Sequence, residues 1–236
     1  WKRSYRGRGP TRPRPGRTGP EGRTPVSLLP YLAFLALPLS ILGPSIWGWE
    51  EQLAAGDWNC LFYPFYRFAR DALAGAGRLP FWNPQILCGQ PHLVALNSPA
   101  LYPTEAAAML AGLGPERFYA ADMVLHLWLA ASLFHAWMRR AGASPGGAFM
   151  GGMAYMLGGH LLTLPGAGHP HWVRGMAVLP AIFLALESGR PVLAGALLAL
   201  TAMGGVHFSI LAGLVGVAWI LATGPGGAGN RAGNAL

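Results

Sequence analysis

Apolar and polar positions alternate on a coarse scale along this chain, with long uncharged runs set between short polar turns and one extended interruption. Val26 to Trp49 holds no charged residue and is long enough to cross about 30 Å of hydrocarbon. Pro30, Pro38 and Pro44 predict bends in it, and Trp47 and Trp49 fit an interfacial aromatic belt. Further apolar runs cover residues 118–138 (closed by Arg139 and Arg140), 146–164, 172–186, 191–204 and 207–223. In the run 146–164, Gly147 and Gly151 form a small-xxx-small face suited to close helix contact. The pattern predicts an all-α, polytopic transmembrane helix bundle of about six spans over residues 26–223.

The interruption, residues 50–117, predicts a long external loop. Its Gly56 to Pro103 stretch is dense in aromatics, Pro, Asn and Gly and contains both cysteines, Cys60 and Cys88. Too ordered in pattern for a linker, it is too broken by Pro and Gly to cross a bilayer. Within it, Phe65, Phe68, Ala69, Ala72 and Leu73 fall opposite Arg67, Arg70 and Asp71, with Pro64 at the start. That spacing predicts an interfacial amphipathic helix over residues 61–74, its aromatic side among headgroups. The two cysteines read as unpaired small residues, although an oxidising compartment would permit a bond.

Composition sharpens the class. Of 236 residues, 53% are hydrophobic and 11% charged, against about a quarter charged in soluble domains. Gly 34 and Pro 21 are both high, and membrane helices tolerate both better than soluble ones. The formal net charge of +8 gathers in the first 23 residues, where eight basic residues face only Glu21. A basic arm can signal nucleic acid. Beside an apolar run it reads instead as a disordered cytoplasmic tail, residues 1–25, acting as a topology signal. With the tail inside, twelve basic residues fall on the inner side and five on the outer, which places the long loop outside. The opening Trp and the closing Gly/Asn-rich run 224–236 suggest a piece of a longer polypeptide.

This topology gathers His92, His126, His160, His169, His171 and His207 toward the outer side, together with Glu50, Glu51, Asp57, Glu105, Glu116 and Asp122. Ionisable groups in apolar segments are costly and mark cavities or pathways, although any one imidazole is readily satisfied at a helix end. His169-x-His171 is too short a pattern to define a metal site. There is no P-loop, no strand-borne dinucleotide fingerprint and no nucleophile elbow. An acid such as Asp57 suits deprotonation of an acceptor hydroxyl, while Arg and His suit a phosphate leaving group. Asp57 also reads as a helix cap.

Gly56-Asp57, Tyr63-Pro64-Phe65, Leu79-Pro80-Phe81-Trp82-Asn83-Pro84, Gly89-Gln90-Pro91 and Asn97-Ser98-Pro99-Ala100-Leu101-Tyr102-Pro103 occur in that order. The series resembles the first external loop of the YfhO family of bacterial membrane proteins, which belongs with the GT-C glycosyltransferases. Gly158-Gly159-His160 and Leu179-Pro180 fit more loosely, and Cys88-Gly89 stands where the family often has a Gly pair. Family members are much longer, so the resemblance covers their amino-terminal portion.

The resemblance implies a bacterial cytoplasmic (inner) membrane enzyme moving a sugar from a polyprenyl-phosphate carrier to a cell-envelope glycan or protein. Asp57 would be the catalytic base; Asn83, Arg174, His160, His169, His171 and His207 would bind substrate. Membrane lipid would be a further partner and nucleic acid would not; a metal requirement is left open. The other readings are a transporter or flippase, and a non-catalytic scaffold for envelope assembly.

Overall fold

The computed structural model describes residues 27–47, 56–93 and 100–223. The predicted tail 1–25, the closing run 224–236, Glu50, Glu51 and Asn97 lie outside the described residues. In chain order come α1 (Leu29–Ile46), α2 (Tyr63–Arg70), a two-residue antiparallel pair β1 (Trp82–Asn83) and β2 (Gln90–Pro91), and α3 (Pro103–Leu110). Then follow α4 (Pro115–Arg140), α5 (Pro145–Met156), α6 (Gly159–Ala167), α7 (Pro170–Glu187), α8 (Pro191–Gly204) and α9 (Val206–Thr223). Proline opens α3, α4, α5, α7 and α8, because the first turn of a helix has no use for the missing N–H and its φ is already set.

The helical class holds, but the transmembrane bundle does not. Among the described residues no helix is long and apolar enough to cross a membrane. The 18 residues of α1 and of α9 rise about 27 Å each, short of the hydrocarbon thickness. The 26 residues of α4 suffice in length, yet they include Glu116, Arg117, Asp122, Arg139 and Arg140. Arg174 lies inside α7 and Glu187 closes it, and α8 has only 14 residues. The apolar run 146–164 is not one helix: it breaks at Gly158, whose ψ of 132° leaves helical space, giving α5 of 12 residues and α6 of nine. The inside and outside assignment drawn from the basic residues loses its footing with the spans.

The central element is α4, packed against α1, α5 and α7. Phe34 of α1 is fully buried and stacks on Phe149 of α5 with 5.3 Å between ring centroids. The closest approach in α5 falls at Gly152, where a Cβ would stand 2.8 Å from the Ala131 carbonyl oxygen and from the Phe34 ring. Gly147, predicted for that face, instead donates its N–H to the Ser144 cap at 3.1 Å. A smaller cluster joins α7, α8 and α9 through Val178, Ile182, Ala194, Phe208 and Ala212.

The predicted helix over 61–74 forms, extended at both ends by π-helical turns, Trp58–Phe62 and Asp71–Gly75. Its aromatic side faces protein rather than headgroups. Tyr66 stacks on Phe118 at 4.9 Å and donates its hydroxyl to the Leu113 carbonyl, while Phe65 and Phe68 meet His92 edge-on. Asp and Arg residues hold the other side in water, as the pattern predicts.

Candidate functional site

Two glycine turns create the juxtaposition that matters most. Gly56 has φ +57°, and a Cβ there would lie 3.1 Å from the Ala167 carbonyl oxygen. The start of the α2 segment can therefore approach the end of α6 only without a side chain. α6 ends at Gly168, in the left-handed conformation at φ 82°, with the His169 N–H donating back to the Leu164 carbonyl. These turns bring Asp57 Oδ2 to 3.6 Å from His169 Nδ1. Trp58 anchors the approach: its ring lies 4.1 Å from that of Tyr119, whose hydroxyl donates to the Pro165 carbonyl at 2.7 Å. Among the described residues Asp57 makes no capping hydrogen bond, so the helix-cap role has no contact behind it.

His171 lies beside this pair, its ring 5.7 Å from that of His169 and 5.1 Å from that of Phe62. Gly205 packs on its other side, where a Cβ would come within 2.9 Å. Burial, reinforced by the charges of His169, Arg174 and His207, lowers the His171 pKa to about 3. At neutral pH it is a neutral imidazole and offers no positive charge. Asp57 and His169 are both partly open to solvent, with 57% and 32% of their side chains exposed, so the site has an accessible rim and a dry wall.

One turn along α7 from His171 begins a network whose charged members are buried. Arg174 Nε donates to Asp122 Oδ2 at 2.8 Å, and Nη1 stands 2.8 Å from Glu105 Oε2. Its guanidinium also lies over the rings of Tyr102 and Phe118, at 4.8 and 5.6 Å. Thr104 donates to Asp122 Oδ1 at 2.6 Å. His126 Nδ1 lies 2.8 Å from the Asp122 carbonyl oxygen, which can only accept, so Nδ1 carries a proton. In the neutral ring Nε2 then accepts from the Tyr102 hydroxyl at 3.0 Å. Burial pushes Asp122 up, but the Arg174 charge and the His126 and Thr104 contacts outweigh it and hold Asp122 well below the usual carboxylate range. For Glu105 burial prevails and its pKa is raised. One cation serves two carboxylates, and Asp122 has it.

The predicted site residues thus divide. Asp57, His169 and His171 come together, and the exposed His207 is near enough to bias His171. Arg174 adjoins the group through α7, but it is 1% exposed and committed to carboxylates. His160 lies exposed, edge-on to Trp172 at 6.4 Å. Asn83 is buried in the β1–β2 hairpin, its Oδ1 accepting from the Gln85 N–H. Sequence reasoning named Asp122, Glu105 and His126 only as outer polar residues and did not pair them. The available signal was the i, i+4 spacing of Asp122 and His126 inside an apolar run that also faces an apolar run containing Arg174. Among the described residues no three of His, Cys, Asp and Glu converge as a metal site. No family model, curated protein or solved structure matches the chain, so a functional reading rests on its residues.

Proposed function

We propose that the protein is a glycosyltransferase-like enzyme that moves a sugar from a polyprenyl-phosphate donor to a hydroxyl of a cell-envelope acceptor. The observation that carries the reading is the meeting of Asp57 and His169 at 3.6 Å on an accessible rim. In this reaction Asp57 takes the acceptor O–H proton as the oxygen bonds to the anomeric carbon. The bond from that carbon to the donor phosphate breaks, and its electron pair leaves with polyprenyl phosphate. His169, held beside Asp57, supports the developing phosphate charge by hydrogen bonding, and neutral His171 orients it. A lipid-linked donor also suits the apolar residues exposed along α9, among them Ile210, Leu214 and Leu221, since contiguous exposed apolar surface marks a lipid or protein contact.

Purified protein supplied with a panel of radiolabelled polyprenyl-phosphate sugars and envelope acceptor tests the reading. Asp57→Asn keeps the shape but cannot take a proton. It should lower transfer by about 10²–10⁴-fold, the usual weight of a general base, with unchanged circular dichroism. Transfer at the wild-type rate by Asp57→Asn would remove Asp57 from the chemistry.

A further inference from the structure

A second feature stands apart from that pair and does not depend on it. Beside the outward side of α2 lies a cavity of about 570 Å³, lined among others by Tyr63, Arg67, Phe68, Asp71, Arg78 and Gln85. Its volume matches a phosphorylated sugar or a headgroup of similar size. The two cations come from separate segments, Arg67 from a helix and Arg78 from a turn held by its backbone. Arg67 projects from α2 with its guanidinium 5.9 Å over the Tyr63 ring. The Arg78 N–H donates to the Ala72 carbonyl at 2.9 Å across the turn made by Gly77 at φ +61°. Gln85 is held by its own N–H to the buried Asn83. Among the described residues of the wall the one carboxylate, Asp71, is engaged by the neighbouring Arg70 at 3.2 Å. Among the described residues neither Arg67 nor Arg78 meets a carboxylate within ion-pair distance.

Two like charges facing one cavity repel each other, and an anion between them turns that repulsion into attraction. Guanidinium forks match the oxygens of a phosphate in pairs. The aromatic sides of Tyr63 and Phe68 and the amide of Gln85 offer a flat face and hydrogen bonds to whatever the phosphate is attached to. We infer that this cavity is a binding site for a phosphate ester, with Arg67 and Arg78 clamping the phosphate.

The full chain, purified in detergent, is titrated calorimetrically with inorganic pyrophosphate at low salt. In parallel it is mixed with phosphatidylcholine vesicles with and without phosphatidic acid. Arg67→Gln and Arg78→Gln replace exposed side chains, and Arg117→Gln, on the exposed surface outside the cavity lining, serves as control. Saturable binding in either arm, weakened roughly tenfold by each cavity substitution and untouched by Arg117→Gln, is expected. Binding of pyrophosphate without vesicle capture marks a soluble phosphate ester; capture by phosphatidic acid alone marks a lipid headgroup. Silence in both arms, or binding that Arg67→Gln and Arg78→Gln leave intact, overturns the site.

Discussion

At Glu105 and Asp122, two carboxylates of similar burial answer to one guanidinium and part company. Asp122 has the Arg174 Nε bond, the Thr104 hydroxyl and the His126 ring, whereas among the described residues Glu105 has Nη1 alone. Amide substitution should therefore act unequally. Glu105→Gln keeps the volume and removes a charge that burial already opposes, so it should cost less than about 1 kcal/mol. Asp122→Asn leaves the Arg174 charge without its main partner and should cost about 3–5 kcal/mol. Denaturant unfolding of the two variants checks this, and equal losses would show that Glu105 is ionised and needed. Little of this was legible in the sequence. A charge inside an apolar run announces that it must be paired, but which carboxylate pairs with Arg174 depends on how α3, α4 and α7 are stacked.

The segment from Trp58 to Gly75 shows what amphipathic spacing can and cannot say. Spacing identified the helix and its two sides, because both follow from 3.6 residues per turn. It could not say what covers the aromatic side, since lipid and a neighbouring Phe118 look alike to a periodic pattern. The start at Pro64 was read for a local reason, proline in the first turn, whereas the same signal at Pro115, Pro145 and Pro170 was passed over. The break at Gly158 was not legible, because a glycine pair permits a kink without requiring one. His92 gives this element a pH response. It is fully buried against Phe65 and Phe68, neither ring nitrogen has a hydrogen-bond partner among the described residues, and burial lowers its pKa to about 4. Below its ordinary value of 6.5 the unfolded chain binds a proton that the folded chain refuses. Stability should then fall as pH drops from there toward about 4 and level off below. His171 adds a slope of the same sign, down to about 3. His92→Leu should flatten the His92 part while changing neutral-pH stability by less than about 1.5 kcal/mol. Unfolding midpoints measured at neutral pH and about pH 4.5 decide the matter; an unchanged acid slope would leave the response to His171 alone.

Across the whole molecule, α7 belongs to both apolar clusters. One side meets α4 through Val173 and Ala177, the other meets α8 and α9 through Val178 and Ile182. Gly175 sets the spacing on the second side: a Cβ there would fall 2.3 Å from the Phe208 ring. Gly175→Ala should force α9 outward and lower stability by about 1–3 kcal/mol. The substitution should also release His207, at the start of α9, from His171. Protease sensitivity of α9 and the His171 chemical shift read both effects; unchanged values would mean that the Phe208 ring simply turns aside.

The Arg174 network constrains how this chain can drift. A lineage that first replaces Arg174 strands Asp122 without its cation, and one that first replaces Asp122 strands the guanidinium, and each stranding is heavily destabilising. An apolar pair at both positions is accessible in principle, but every single step toward it passes through a poorly folded ancestor. Positions 122 and 174, one on α4 and one on α7, are thus inherited as a unit, and relatives that lack one should lack the other.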